Sequence, residues 1–496
     1  MSVPSSYTDQ QVVDDLKASA AANGGDDYKC IVTFFYYGGI DTHNILIPKG
    51  SNSNKSIYYD LRTEGGVGIP EDDLLELNSD WGIHPSLTYF KTLWDDGDLS
   101  FVFDTGTLNY PTTKEQFTSD FTYYAPNGLF GHNTQQEDWM TTSEVAGTGW
   151  TGRTAALIDG GPDNEPYFNP DQNADSSSFS FQGSDIQSTP FSPVFKVNYP
   201  PQTLQPPSSF WGYVTEDNLN NADAEMYHDN LSTVSKGTNV VLNSFIDIFN
   251  QAIDSQEIVS NNNVAWNQDS TLTQEEKDRI NSYFDLVFDP VTNPVTYFTI
   301  FARYAASVIY SSAIGVGDAG YKQRRQTIFV PLGGWDHHAN IRDQHDIRLV
   351  AVNRAYEALI RFLKDPKVNL YDSVVIMHGA EFSRTLRSNG NQGTDHAWAS
   401  HTFIAGGPVN GGLYPTNYQP NYDPVGLKSD GSRLGRYIPE VPVEFVYAQV
   451  LEWFGIPRQH LDLVLTKLPR FCENNDNTGY IFANKPNGVS YNLNFI

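Results

Sequence analysis

The sequence predicts an α/β protein built on a mostly parallel sheet, and three observations carry that expectation. Its strongest strand candidates are β-branched and aromatic runs without polar alternation, the pattern of strands buried on both faces. The first two of them are separated by a helical stretch, and strand–helix–strand order at this spacing implies parallel pairing. Short polar clusters follow or precede the strands, where a parallel sheet gathers its functional loops.

Taken in order, KCIVTFFYYGGIDTHNILIP reads as a buried strand that breaks at Gly38-Gly39 and delivers Asp41, His43 and Asn44. In WGIHPSLTYFKTLWDDGDLSFVFDTG, Leu87, Phe90, Leu93 and Trp94 keep helical spacing, Gly97 is the stop, and LSFVFD is a second strand. Residues 107–270 change texture. Pro, Gly, Asn, Asp and Ser dominate, so this part reads as long loops and small insertions over the sheet edge. Residues 160–235 suit a lid, and Asn239–Ser255 carries an apolar stripe expected of a helix.

From Thr271 order returns. LTQEEKDRINSYFDLVF opens with a Thr271-x-x-Gln274 capping pattern. VTYFTIFARYAASVIYSS is a second helix, QTIFVPLGGWDHH is strand into loop, and RDQHDIRLVAVNRAYEALIRFLKD is a long amphipathic helix. SVVIMHGAEFSRT is again strand into loop, HTFIAGG a further strand, and VPVEFVYAQVLEWFGI the closing helix. The expected organisation is one domain over 1–496, with 457–496 as a C-terminal extension.

Composition excludes several function classes. Apolar residues are 39% of the 496, but aromatics reach 13%, so large rings can build a core and disorder is excluded. The formal net charge is −28. Such a polyanion repels phosphate backbones, so no nucleic-acid partner is expected. No stretch approaches the roughly 20 apolar residues of a membrane helix. The polar first residues lack the basic-then-apolar order of a signal peptide, while the weakly charged surface suits an extracellular or cell-surface setting. Cys30 and Cys472 read as two buried free thiols, with a long-range bridge as the alternative.

Histidine distribution is the sharpest signal. Six of the eleven (His337, His338, His345, His378, His396 and His401) fall close together, near Asp336, Glu381 and Asp395. Asp336 and His338, one residue apart in an extended loop, would point the same way and suit one ion. Carboxylates mixed with imidazoles favour zinc, manganese or iron over calcium. Asp41, Asp336, Glu381, His338 and His396 could together hold two divalent ions, a clamp for displacement at phosphorus or sulfur. Bland alternatives stand beside this. Gly-Gly-x-Asp can be just a turn, His378 a hydrogen-bonded core residue, Glu381 with Arg384 a loop ion pair, and Asp395 a turn-former before His396.

GGIDTHNILIP, WGIHPSL, GHNTQQEDWMTT, GTGWTGRT, GGWDHHAN, GAEFSRT, GTDHAWAS and VLEWFGI, in this order, resemble the DUF1501 family of the alkaline phosphatase and sulfatase-like superfamily. The resemblance runs over about residues 28–457, excluding the middle insertions. It implies a three-layer α/β/α sandwich with metal ligands on the carboxyl edge of the sheet. Asp41 matches the first acidic position, Asp336 and His338 the Asp-x-His, Glu381 and Arg384 the Ser-Glu-Phe-Gly-Arg-Thr motif, and Asp395 and His396 the Thr-Asp-His. The chain departs where Gly131-His132-Asn133 stands in place of Ser-His-Phe, so the serine is missing; Ala380, Ser383 and Ala397 are further changes, and the twin-arginine export signal is absent.

The expected function is a metal-dependent hydrolase of phosphate or sulfate esters. It would hold one or two ions (zinc, manganese or iron, with calcium pointing to the sulfatase-like branch) on Asp41, Asp336, His338, Glu381, Asp395 and His396. Arg384 would grip the anionic group of a small ester as a fork. His132 lies beside the missing nucleophile, which a metal-activated water or Thr134 would replace. The alternative is a non-catalytic scaffold that keeps the fold and uses its insertions as contact surfaces in an exported assembly, filament or virus particle, as a homo-oligomer or larger array.

Overall fold

The computed structural model describes residues 9–22, 27–63, 65–143, 148–159, 178–180, 202–203, 264–285, 297–316, 324–423, 430, 433–482 and 493–496. The expected Asn239–Ser255 helix and the lid reading of 160–235 fall almost wholly outside these residues.

The sheet strands are β1 (Lys29–Tyr36), β2 (Leu99–Gly106), β3 (Ser178–Ser180), β4 (Gln202–Thr203), β5 (Arg325–Leu332), β6 (Val374–Gly379), β7 (Ser400–Ala405), β8 (Gly412–Tyr414) and β9 (Val441–Pro442). They form one nine-stranded sheet in the order β8-β2-β7-β6-β1-β5-β3-β4, with β9 also on β2. Every pairing is parallel except the two made by β7, which runs antiparallel to both β2 and β6. The protein is therefore mixed α/β with a mostly parallel sheet, as the apolar, unalternating runs require.

Strand β1 shows why those runs lack alternation. Val32, Phe34 and Tyr36 join one core cluster, shared with Leu349, Tyr356 and Leu363 of the helix Ile341–Lys364 and Phe90 of the helix Thr88–Asp96. Ile31 and Phe35 join a second cluster, shared with Phe445 and Leu451 of the helix Val443–Phe454 and with Leu16. Both faces are apolar because both are covered. Each such side chain, fully buried, stabilises the fold by roughly 1.5–3 kcal/mol.

Three local expectations change. The helix Gln274–Ser282 is capped by Thr273, whose side chain and Glu276 form the capping box, while Thr271 bonds to Asp269 instead. Part of the loop-rich stretch is helical: Lys114–Ser119, Phe121–Tyr124, His132–Thr141 and Trp150–Asp159 are helices, and β3 and β4 extend the sheet next to β5. A Thr113–Gln116 capping box starts the first of these helices, a local signal outweighed in the sequence by turn-forming neighbours. Cys30 and Cys472 are both free, Cys30 buried and Cys472 only partly so. Gly97 ends its helix as expected, in the left-handed region at φ 82°. Among the described residues no helix is long and apolar enough to cross a membrane.

Candidate metal centre

The sheet's topology explains why distant clusters meet. Strands β1, β5 and β6 are parallel, so the loops after them leave one edge. Strand β7 is antiparallel, so the residues before it enter at that same edge. A short antiparallel ladder then pairs Arg384 with His396 and locks the last two segments together.

The loop after β1 must run unusually close to its neighbour. Gly38 sits at φ 111°, and a Cβ there would lie 2.4 Å from the Asp336 backbone nitrogen. Its N–H donates to Glu381 Oε1 at 2.7 Å and its carbonyl accepts from Arg384. Only glycine satisfies that conformation at that separation.

At this edge Asp336, His338 and His396 form a triangle. Asp336 Oδ1, His338 Nε2 and His396 Nε2 are each 3.1 Å from the other two. Donors bound at about 2.0–2.1 Å around a tetrahedral ion stand about 3.3 Å apart, so the spacing fits three ligands of one metal. The far nitrogens settle the tautomers. His396 Nδ1 faces the Phe130 carbonyl at 2.7 Å, and His338 Nδ1 faces Asp395 Oδ1 at 3.1 Å. A carbonyl and an ionised carboxylate only accept, so both Nδ1 atoms carry the proton. Both Nε2 atoms then present lone pairs to each other and to a carboxylate oxygen, an arrangement that a cation between them resolves.

The surroundings keep the ligand carboxylate ionised. Burial opposes its charge, but the Arg384 guanidinium at 2.5 Å, with His396 and His338, holds the Asp336 carboxyl down at about 2. Burial pushes His396 below its ordinary range, which keeps it neutral and able to ligate. Asp395 is also held low: its hydrogen bonds from Asn389 and His338 outweigh its burial. Phe130 adopts φ 71°, and its ring lies 4.3 Å from the Arg436 guanidinium, which in turn donates to the His396 carbonyl.

His132 opens the helix His132–Thr141 on the other side of the carboxylate. Its Nδ1 bonds Glu381 Oε1 at 2.8 Å, and its Nε2 lies 3.6 Å from Asp336 Oδ2. That Glu381 hydrogen bond raises its pKa against the effect of burial. His132, Asp336 and His396 also bring one ligand atom each within 4.8 Å of one another.

Several expected residues take other places. Asp41 is fully buried, with both oxygens on Arg62 at 2.6 and 2.9 Å, so the structure keeps it out of the cluster. Glu381 is fully buried and touches Gly38, His132 and Gln136 through Oε1; it orients a histidine and does not join the triangle. Asp395 likewise holds His338 from behind. Arg384 is no fork for a substrate: it is fully buried, and its donors go to the carbonyls of Gly38, Gly39 and Thr394 and to Asp336. The Thr134 hydroxyl turns back to the Gly128 and Gly131 carbonyls at 2.9 and 3.2 Å, leaving no free nucleophile there. His378 lies in the core as expected, but without a hydrogen bond to any described residue; burial among Tyr36 and Phe403 pushes it down to about 3.

Sequence reading missed the supporting shell. The Phe130 carbonyl has no sequence signal. Asn389 and Arg62 gave none beyond their residue types, whereas Gln136 stands one turn after His132 and could have been noted. A second grouping, His84, His345 and Asp346, also brings ligand atoms within 4.8 Å of one another.

A family model described as "Protein of unknown function (DUF1501)" matches residues 321–420. The match spans the loops that carry Asp336, His338, Glu381, Arg384, Asp395 and His396, and it leaves Asp41 and His132 outside. No curated protein matches the chain.

Proposed function

We propose that the protein is a metal-dependent hydrolase of phosphate or sulfate esters, on a three-layer α/β/α fold of the alkaline phosphatase and sulfatase-like kind. One observation supports it above the rest: two imidazoles with fixed Nδ1–H tautomers and one ionised carboxylate bring three lone-pair atoms to 3.1 Å from one another. Asp336, His338 and His396 would hold one ion, and their mixed nitrogen and oxygen donors suit zinc, manganese or iron better than calcium. The ion would supply Lewis-acid polarisation of an ester oxygen and a lower pKa for water.

The chain's own groups do the rest. Arg384 fixes Asp336 and keeps it ionised, a positioning role in place of substrate binding. Asp395 and the Phe130 carbonyl hold the two imidazoles in the ligating tautomer. The ligands stay reachable, with side-chain exposures of 44% for Asp336 and 47% for His338, so a small ester has access. Elemental analysis of protein purified without chelator should find about one equivalent of metal. That form should cleave p-nitrophenyl phosphate or p-nitrophenyl sulfate, and the double variant D336A/H338A should lose both metal and turnover. Turnover unchanged in that variant would sink the proposal; a metal-loaded protein that cleaves no ester would leave the scaffold reading in its place.

A further inference from the structure

Resting on that hydrolase reading, we infer that His132 is the nucleophile, its Nε2 taking the phosphoryl group from the ester in a covalent step. The triangle uses Asp336 Oδ1, whereas His132 faces Oδ2 from 3.6 Å, outside the 3.1 Å set. Its Nδ1 is held at 2.8 Å by Glu381, a carboxylate with no exposure, fixed in turn by the Gly38 N–H and the Gln136 amide. An imidazole whose far nitrogen gives its proton to a buried carboxylate keeps a directed, more basic lone pair on Nε2. Among the described residues that Nε2 makes no hydrogen bond, and a third of the side chain is exposed.

The backbone around His132 also suits an anion. His132 is the first residue of a ten-residue helix whose N-cap, Gly131, supplies no side-chain cap. The N–H groups of that first turn are therefore open to phosphoryl oxygens. The Thr134 hydroxyl does not compete, since it is turned back to the backbone.

The balance is simple. The His132 Nε2 lone pair forms an N–P bond as the ester P–O bond breaks, and the leaving alkoxide takes a proton from solvent. Water then attacks phosphorus, the N–P bond breaks, and inorganic phosphate leaves with neutral His132 restored. Glu381 is a positioning residue, holding the Nδ1 proton throughout.

The test treats the metal-loaded full chain with phosphoramidate and, separately, with p-nitrophenyl phosphate, and maps phosphoryl groups by mass spectrometry. An acid-labile, base-stable label on the His132 peptide is expected, absent in H132Q and slowed at least about tenfold in E381Q, the scale of lost support to a functional histidine. Metal content and affinity should be unchanged in H132Q, which a fourth metal ligand would not allow. Ester turnover that persists in H132Q without a label overturns the nucleophile and leaves the hydrolase standing. A label without ester turnover keeps the nucleophile and removes the hydrolase. Neither label nor turnover overturns both.

Discussion

Two His–Asp groupings stand among the described residues, nearly identical in residue type and opposite in proton logic. In the first, the Nδ1 atoms of His338 and His396 face pure acceptors, so bare Nε2 atoms converge on Asp336. In the second, the Ser86 N–H donates to His84 Nδ1 at 3.1 Å, so the His84 proton sits on Nε2 and points at Asp346 Oδ1, 2.9 Å away. That pair is complete without an ion. The partner of the far nitrogen, more than the presence of imidazole and carboxylate, separates a ligand set from a hydrogen-bonded pair.

The largest effect expected is at the first grouping. His396→Ala removes one corner of the triangle, and metal affinity should fall more than about 100-fold, beyond the range seen for outer-shell changes. Titration calorimetry with zinc checks this, against a wild-type stoichiometry of one. A second equivalent of zinc, lost in His84→Gln, would break the comparison.

Asp395→Asn probes the tautomer argument more finely. The amide can offer its N–H to His338 Nδ1, which releases the Nδ1–H requirement and lets the Nε2 atom carry the proton. Affinity should drop about 10–100-fold with the fold intact. Wild-type affinity in this variant would show that the far-nitrogen partner does not set the site.

At the second grouping the expected effect is on stability. His84→Gln strips a buried acceptor from the Ser86 N–H and a donor from Asp346, which keeps Arg342 at 3.5 Å. Loss of this partly buried pair should cost about 1–3 kcal/mol in urea unfolding, with zinc stoichiometry unchanged.

How much of this was legible follows from where each signal lives. The strands were readable because covering both faces forces unbroken apolar runs, and the convergence of GGWDHH with GAEFSRT followed from parallel topology. That GTDHAWAS joins them depends on β7 running antiparallel, which the sequence does not state. Asp41 misled because its partner, Arg62, is a charged residue 21 positions along the chain whose full burial no sequence signal announces. Arg384 misled for a similar reason: its acceptors are mostly backbone carbonyls, which every residue has. The ligating pair of His338 and His396 was visible as residue types, but their tautomers rest on Asp395 and on the Phe130 carbonyl, a contact 266 residues away in the chain.

His345 gives the smallest and most specific test of the contrast. It sits between His84 and His337, nearly unexposed, and neither ring nitrogen has a hydrogen-bond partner among the described residues. Burial first, then the neighbouring histidines and the Arg62 and Arg348 charges, pushes its pKa well below the ordinary 6.5. The folded state therefore binds fewer protons here than the unfolded chain once pH falls below about 6.5, and stability drains away as pH falls further. His345→Leu removes that drain. At pH 8 the variant should lie within about 1.5 kcal/mol of wild type, a volume-conserving swap. At pH 5 its relative stability should improve by roughly 2 kcal/mol, the difference of about 1.5 pH units at 1.36 kcal/mol each. A pH-independent difference would mean that His345 is protonated, or held by an ion, in the folded state. The second grouping would then be a charged site after all.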